Sequence, residues 1–117
     1  MKDFKKLLVW QKAMEVVNMV FDLYEDLPWQ KASELKGQST RAAISIASNI
    51  AEGNSRRSEK EKLRYMEIAL GSAFELETQT LGLQRRPWAP KQETIELLKA
   101  IEEVQRMLSG FMNKLKP

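Results

Sequence analysis

Histidine and cysteine are both missing from these 117 residues. Without cysteine there is no disulfide and no thiol chemistry. Without histidine the commonest general base and the commonest transition-metal ligand are gone. Serine–histidine and cysteine–histidine nucleophile systems are excluded with them. Acid–base work would fall to carboxylates, lysines and tyrosines, so no catalytic residue, no metal ligand and no cofactor is expected. Glycine and proline are scarce, at 5 and 4, and few lie inside the periodic segments. No apolar run approaches the roughly 18 residues of a membrane span, so no membrane partner is expected. The opening stretch Met1-Lys2-Asp3-Phe4-Lys5-Lys6 has no signal-peptide pattern, which makes the cytoplasm the expected compartment.

What is present is ordinary for a globular domain. Hydrophobic residues make up 43% and charged residues 30% of the chain. The length suits one domain (1–117) that buries roughly two-thirds of its unfolded surface. A net charge of +3 and a pI near 9.2 permit contact with nucleic acid without demanding it.

Four amphipathic stretches follow one another, at about 4–26, 31–52, 58–85 and 90–114. In the first, Trp10, Ala13, Val17, Val20 and Tyr24 recur at spacings of three and four, one face of a helix. Leu27-Pro28-Trp29 interrupts it, since proline disfavours a continuing helix before it. Gly53 follows the second stretch, where a left-handed C′ glycine would stop a helix. Ser58-Glu59-Lys60-Glu61 is a capping box that opens the third. Its inner face is read as Leu63, Met66, Ala69/Leu70, Ala73, Leu76, Thr80 and Leu83. The fourth carries Leu97, Ile101, Val104, Leu108, Phe111 and Leu115 at alternating spacings of four and three, a seam for antiparallel packing. The expected fold is all-α, an antiparallel up-down-up-down four-helix bundle.

Residues 42–52 stand out within that plan. Isoleucines and alanines cover most of this helix, leaving one polar stripe of Ser45, Ser48, Asn49 and Glu52. Such a helix predicts burial on more than one side, and its stripe needs hydrogen-bond partners. The third helix carries Gly71, Ser72 and Ala73 where leucine is usual, and Ser72, Glu75 and Gln79 share one face. A helix-interior glycine costs about 1 kcal/mol relative to alanine, which a close helix–helix approach would offset. Paired, Ser45, Ser48, Asn49, Glu52, Ser72 and Glu75 would form a buried polar seam that fixes register and assembly. A different reading makes Glu52 and Glu75 a carboxylate pair for chemistry. Di-iron bundles, however, use Glu-x-x-His pairs that this chain cannot supply.

Basic residues gather near the connector at Arg56, Arg57, Lys60, Lys62 and Arg64, and again at Arg85 and Arg86. Of these, Arg56, Arg57, Arg64, Arg85 and Arg86 are the candidates for phosphate contact in RNA or DNA. Trp88 could stack on a base, cover the end of the bundle, or lie at a subunit contact. Trp10 and Tyr24 are read as core, Phe21 as core or interface. Met14, Met19, Met66, Met107 and Met112 are read as adaptable packing.

Three strings, in order and spanning nearly the whole chain, carry a resemblance: Leu8-Val9-Trp10-Gln11-Lys12-Ala13; Arg41-Ala42-Ala43-Ile44-Ser45-Ile46-Ala47-Ser48-Asn49-Ile50-Ala51-Glu52-Gly53; and Ala69-Leu70-Gly71-Ser72-Ala73-Phe74-Glu75-Leu76-Glu77. Together they resemble the bacterial four helix bundle protein family, whose genes were first noticed in intervening sequences of 23S ribosomal RNA genes. The resemblance implies a small cytoplasmic bundle that forms a ring-like homopentamer and has no known enzymatic activity. Related bundles are accessory proteins of diversity-generating retroelements, where a basic pentamer binds nucleic acid and a reverse transcriptase. Two departures matter. Thr40 stands where members often carry the first of two arginines, and 84–90 is more basic and proline-rich than the family pattern. The expectation is a non-enzymatic oligomeric scaffold, with itself as first partner. Its alternative is a nucleic-acid-binding accessory protein that works with a reverse transcriptase.

Overall fold

A computed structural model describes residues 3–115, leaving Met1 and Lys2 of the stretch read for a leader outside the described residues. A single 3-10 turn at Phe4–Lys6 leads into four helices: α1 (Leu8–Glu25), α2 (Trp29–Asn54), α3 (Glu59–Gln84) and α4 (Lys91–Leu115). No strand occurs among the described residues. Each helix packs on its sequence neighbours, and α1 also closes against α4, giving an antiparallel bundle measuring 47 × 20 × 19 Å.

The breaks between helices have local causes. Asp3 accepts the Lys5 amide at 3.0 Å and so caps the first turn, and the chain re-enters helix only at Leu8. Pro28 supplies the carbonyl that receives the amides of Lys31 and Ala32, so α2 begins at Trp29, two residues before the periodicity suggests. Ser58 accepts the Glu61 amide at 3.1 Å. The Glu61 carboxylate meets the Ser58 hydroxyl at 3.5 Å, so the capping box is completed through the side chain.

Gly53 corrects the sequence reading. No glycine among the described residues has positive φ, and α2 runs through Gly53 to Asn54 before Ser55 caps it, the Ser55 hydroxyl donating to the Glu52 carbonyl at 2.6 Å. Gly53 is buried, and a Cβ there would lie 2.8 Å from both Met66 Cε and Tyr65 Cβ. It is small because α3 crosses α2 at that point. Gly71 is the converse: a Cβ there would meet nothing within 4 Å. The close approach expected at Gly71 is therefore absent from the protomer.

The core follows the expected faces. Val9, Ala13, Val16, Val17, Val20, Leu23 and Tyr24 of α1 are buried, as are Leu97, Ile101, Val104 and Leu108 of α4. From α3 come Met66, Ala69, Ala73, Leu76, Thr80 and Leu83, whereas Leu63 is half-buried and Leu70 packs partly buried against the core. Trp10 is only half-buried and stands edge-on to Phe4, with centroids 5.2 Å apart. Met66 is fully buried; Met14, Met19, Met107 and Met112 pack around the core's margin.

Three buried polar side chains are satisfied locally. Thr80 donates to the Leu76 carbonyl at 2.8 Å and Thr94 to that of Lys91 at 2.7 Å. The hydroxyls of Tyr24 and Ser39 meet at 3.1 Å across the α1–α2 interface. Burial pushes the Tyr24 phenol above its ordinary pKa, a rise that the Ser39 hydrogen bond partly opposes.

Candidate functional site

Half of the polar stripe meets its expected partner. Ser45 Oγ lies 2.9 Å from Ser72 Oγ across the α2–α3 seam. Asn49 Nδ2 donates to the Ser45 carbonyl at 2.8 Å and to Ser45 Oγ at 3.1 Å. These three side chains are half-buried, whereas Ser48, Glu52 and Glu75 are exposed. A fully buried six-residue seam is therefore not what the protomer contains. The reason is angular: Ala42, Ala43, Ile46 and Ile50 take the core face of α2, which turns the stripe to the outer edge of the contact.

Glu52 and Glu75 do not form a carboxylate pair. With Ser45 opposite Ser72, Glu52 lies seven residues one way along the antiparallel seam and Glu75 three residues the other. At 1.5 Å per residue they stand about 15 Å apart along the axis. Glu52 instead lies 3.8 Å from the Arg56 guanidinium. Among the described residues no group of three or more carboxylates is placed to hold a metal ion.

The connector holds one pre-positioned cation. Arg56 lies with its guanidinium carbon 4.8 Å from the Tyr65 ring centroid and donates to Tyr65 Oη at 2.8 Å. Its Nε is buried with no hydrogen-bond partner in the protomer. Arg57 and Lys62 join it around a groove of about 630 Å³ that also touches Ser55, Phe111 and Leu115. Arg64 is exposed on the first turns of α3. Arg85 and Arg86 belong to the opposite end, since the 26 residues of α3 separate them from the connector by about 39 Å. The five arginines form two patches, not one. Trp88 is half-buried and packs on the core at the Arg85/Arg86 end, so it covers that end of the bundle.

Periodicity does not reveal how much apolar surface stays outside. Phe21 and Ile44 are each 45% exposed, Phe74 51% and Leu81 43%. Between α1 and α2 runs a groove of about 310 Å³ lined by Phe4, Trp10, Met14, Val17, Ile44, Ala47, Ser48 and Ala51. On α3, Phe74 and Leu81 stand seven residues apart, two turns along one face. Helical phase does signal where some of it lies, since Ile44 and Ile68 fall outside the core phase of their helices, but not how much stays exposed.

The profile of the 23S rRNA-intervening sequence protein family matches residues 5–110. The chain belongs to that family. Among solved structures, one chain described as a protein with unknown function from the S23 ribosomal protein family of Bacteroides thetaiotaomicron VPI-5482 superposes with a TM-score of 0.80. It is 21% identical, and the match covers 90% of this chain and 98% of that one. At that identity the likeness supports the bundle fold of this family member and nothing finer. No match is found among curated proteins.

Proposed function

We propose that this member of the family is a non-enzymatic assembly module, a ring-like homopentamer that works as a binding scaffold in the cytoplasm. The observation that carries the reading is the apolar surface left outside a filled core: the α1–α2 groove around Trp10, Met14 and Ile44, and the Phe74/Leu81 pair on α3. Contiguous exposed apolar surface marks interaction sites. The two surfaces lie on different helices of the protomer, so one docking into the other makes a head-to-tail contact. Contacts of that type close into rings when the rotation permits. In this arrangement the Ser45–Ser72–Asn49 cluster lies near the subunit boundary. Related connectors then gather at one end of the ring, multiplying a protomer charge of +3 into a local field.

Sedimentation velocity at micromolar concentration tests it. The expected particle is five times the 13.5 kDa protomer, and Ile44→Glu or Phe74→Glu shifts it to monomer without loss of helicity. A wild-type monomer under these conditions overturns the reading.

The positioned Arg56, beside Arg57 and Lys62, supports the second reading, contact with RNA or DNA, with a reverse transcriptase as the protein partner that the resemblance implies. Retention on nucleic acid at about 50 mM salt, with affinity falling linearly on a log–log salt plot, is its signature. Loss of retention in Arg56→Gln/Arg57→Gln, with Arg85 and Arg86 intact, would assign the contact to the connector end.

A further inference from the structure

At the end opposite the connector, the seam between α1 and α4 opens into a cleft of about 580 Å³. Its floor is apolar, formed by Met19, Leu23, Leu27 and Trp88. Its two walls are acidic. Asp22 and Asp26 project from α1 at i and i+4, and Glu93 and Glu96 face them from α4 at i and i+3. All four carboxylates are exposed, and none joins an ion pair among those formed by the described residues. Two of them also oppose their own helix. Asp22 lies in the last turn of α1 and Asp26 is its C-cap, with no basic residue in that turn to answer the negative end of the dipole. A negative rim on a chain that is basic overall is a local arrangement, not a reflection of composition.

We propose that this cleft is a docking site for a short cationic segment of a partner protein, with arginine or lysine alternating with apolar side chains. Charge complementarity selects the sign: four carboxylates and the α1 C-terminus favour a bound cation and outnumber the α4 N-terminus and the Arg85/Arg86 pair at the same end. The apolar floor selects side chains that alternate with the charges, as an extended strand presents them on opposite faces. Length selects a chain over a point cation. From Met19 to Leu27 the floor runs about 12 Å, which about four residues of extended chain would span. The proposal is independent of ring formation, because every lining residue comes from one protomer.

Fluorescence anisotropy with a labelled, end-capped heptapeptide of alternating arginine and leucine tests it at about 50 mM salt. The expected result is binding to the wild-type protein that weakens as salt rises. In the variant Asp22→Asn/Asp26→Asn/Glu93→Gln/Glu96→Gln the affinity falls by at least about tenfold. A control that neutralises Glu34, Glu59, Glu67 and Glu102, removing the same charge elsewhere, stays within about twofold of wild type. Equal weakening in both variants overturns the proposal, since attraction would then be to net charge. No binding to the wild type also overturns it. Displacement of the peptide by spermine at equal cation concentration overturns it in favour of a small-polycation site.

Discussion

On α2 and α3 many of the buried positions are small: Ala42, Ala43, Ala47, Gly53, Ala69 and Ala73. On α1 and α4 every buried side chain except Ala13 is at least as large as valine or threonine. The first pair can approach closely, and its polar edge is a neutral serine–serine hydrogen bond. The second stands wider, opens into a cleft at one end, and is bridged by Lys12, which lies 3.4 Å from Glu103 of α4 and 3.4 Å from Glu15 of its own helix. Side-chain volume decides which seam is sealed and which retains room for something else. One bundle thus has a structural side and an accessible side.

The sharpest way to break this contrast is to add volume where there is none. Gly53→Val should destabilise by about 3 kcal/mol or more, because its branched side chain would overlap the Cβ of Tyr65, which cannot swing away. Denaturant unfolding measures it; a loss under about 1 kcal/mol would mean that α2 and α3 slide apart freely.

The same type of change on the outer face of α3 carries the opposite sign. Gly71→Ala should stabilise the isolated protomer by about 1 kcal/mol, since the new methyl meets nothing within 4 Å and helix propensity improves. Monomeric conditions, or the Ile44→Glu background, give the clean reading. If the gain appears there and is lost in the assembled protein, the space beside Gly71 is taken by a neighbouring protomer.

The smallest effect separates the seams by their response to pH. The side-chain hydrogen bond with Glu15, then the charges of Glu103 and Glu15, hold Lys12 above its ordinary pKa of 10.5. A raised folded pKa gives stability that is fully present below the unfolded value and disappears as pH rises through the folded one. Lys12→Met should therefore be slightly less stable than wild type near neutrality and indistinguishable from it at strongly alkaline pH. Both pairs are in contact with water, so added salt should shrink the difference as well. Ser45→Ala/Ser72→Ala should show neither dependence, because no charge is involved.

Much of this was legible in the sequence. The α4 face was readable because Leu97, Ile101, Val104 and Leu108 repeat on one phase with nothing competing. Gly53 was misread because a glycine near a helix end serves either a left-handed turn or a close crossing. Only the residue opposite, here Tyr65 or Met66, distinguishes the two. Ser39 gave no signal of its own: a serine is buried this deeply only when a partner such as Tyr24 stands across the interface. Of the seam read as Ser45, Ser48, Asn49, Glu52, Ser72 and Glu75, only Ser45, Asn49 and Ser72 meet at the α2–α3 contact, because depth depends on the rotation of α2 about its axis. The acidic cleft escaped sequence reading altogether, since Asp22 and Glu93 are adjacent only after the chain has closed on itself.

That closure has a consequence for the order in which the molecule assembles. The connectors at residues 26–28, 55–58 and 85–90 are short, so α1–α2, α2–α3 and α3–α4 each form between neighbours in sequence. Only α1–α4 joins the two ends of the described chain. Loop-closure entropy makes it the slowest pairing to find and the natural last step of folding. During synthesis, the face of α1 that meets α4 must wait uncovered until α4 has left the ribosome. The seam that stays partly open in the finished protein is also the one that time leaves open longest.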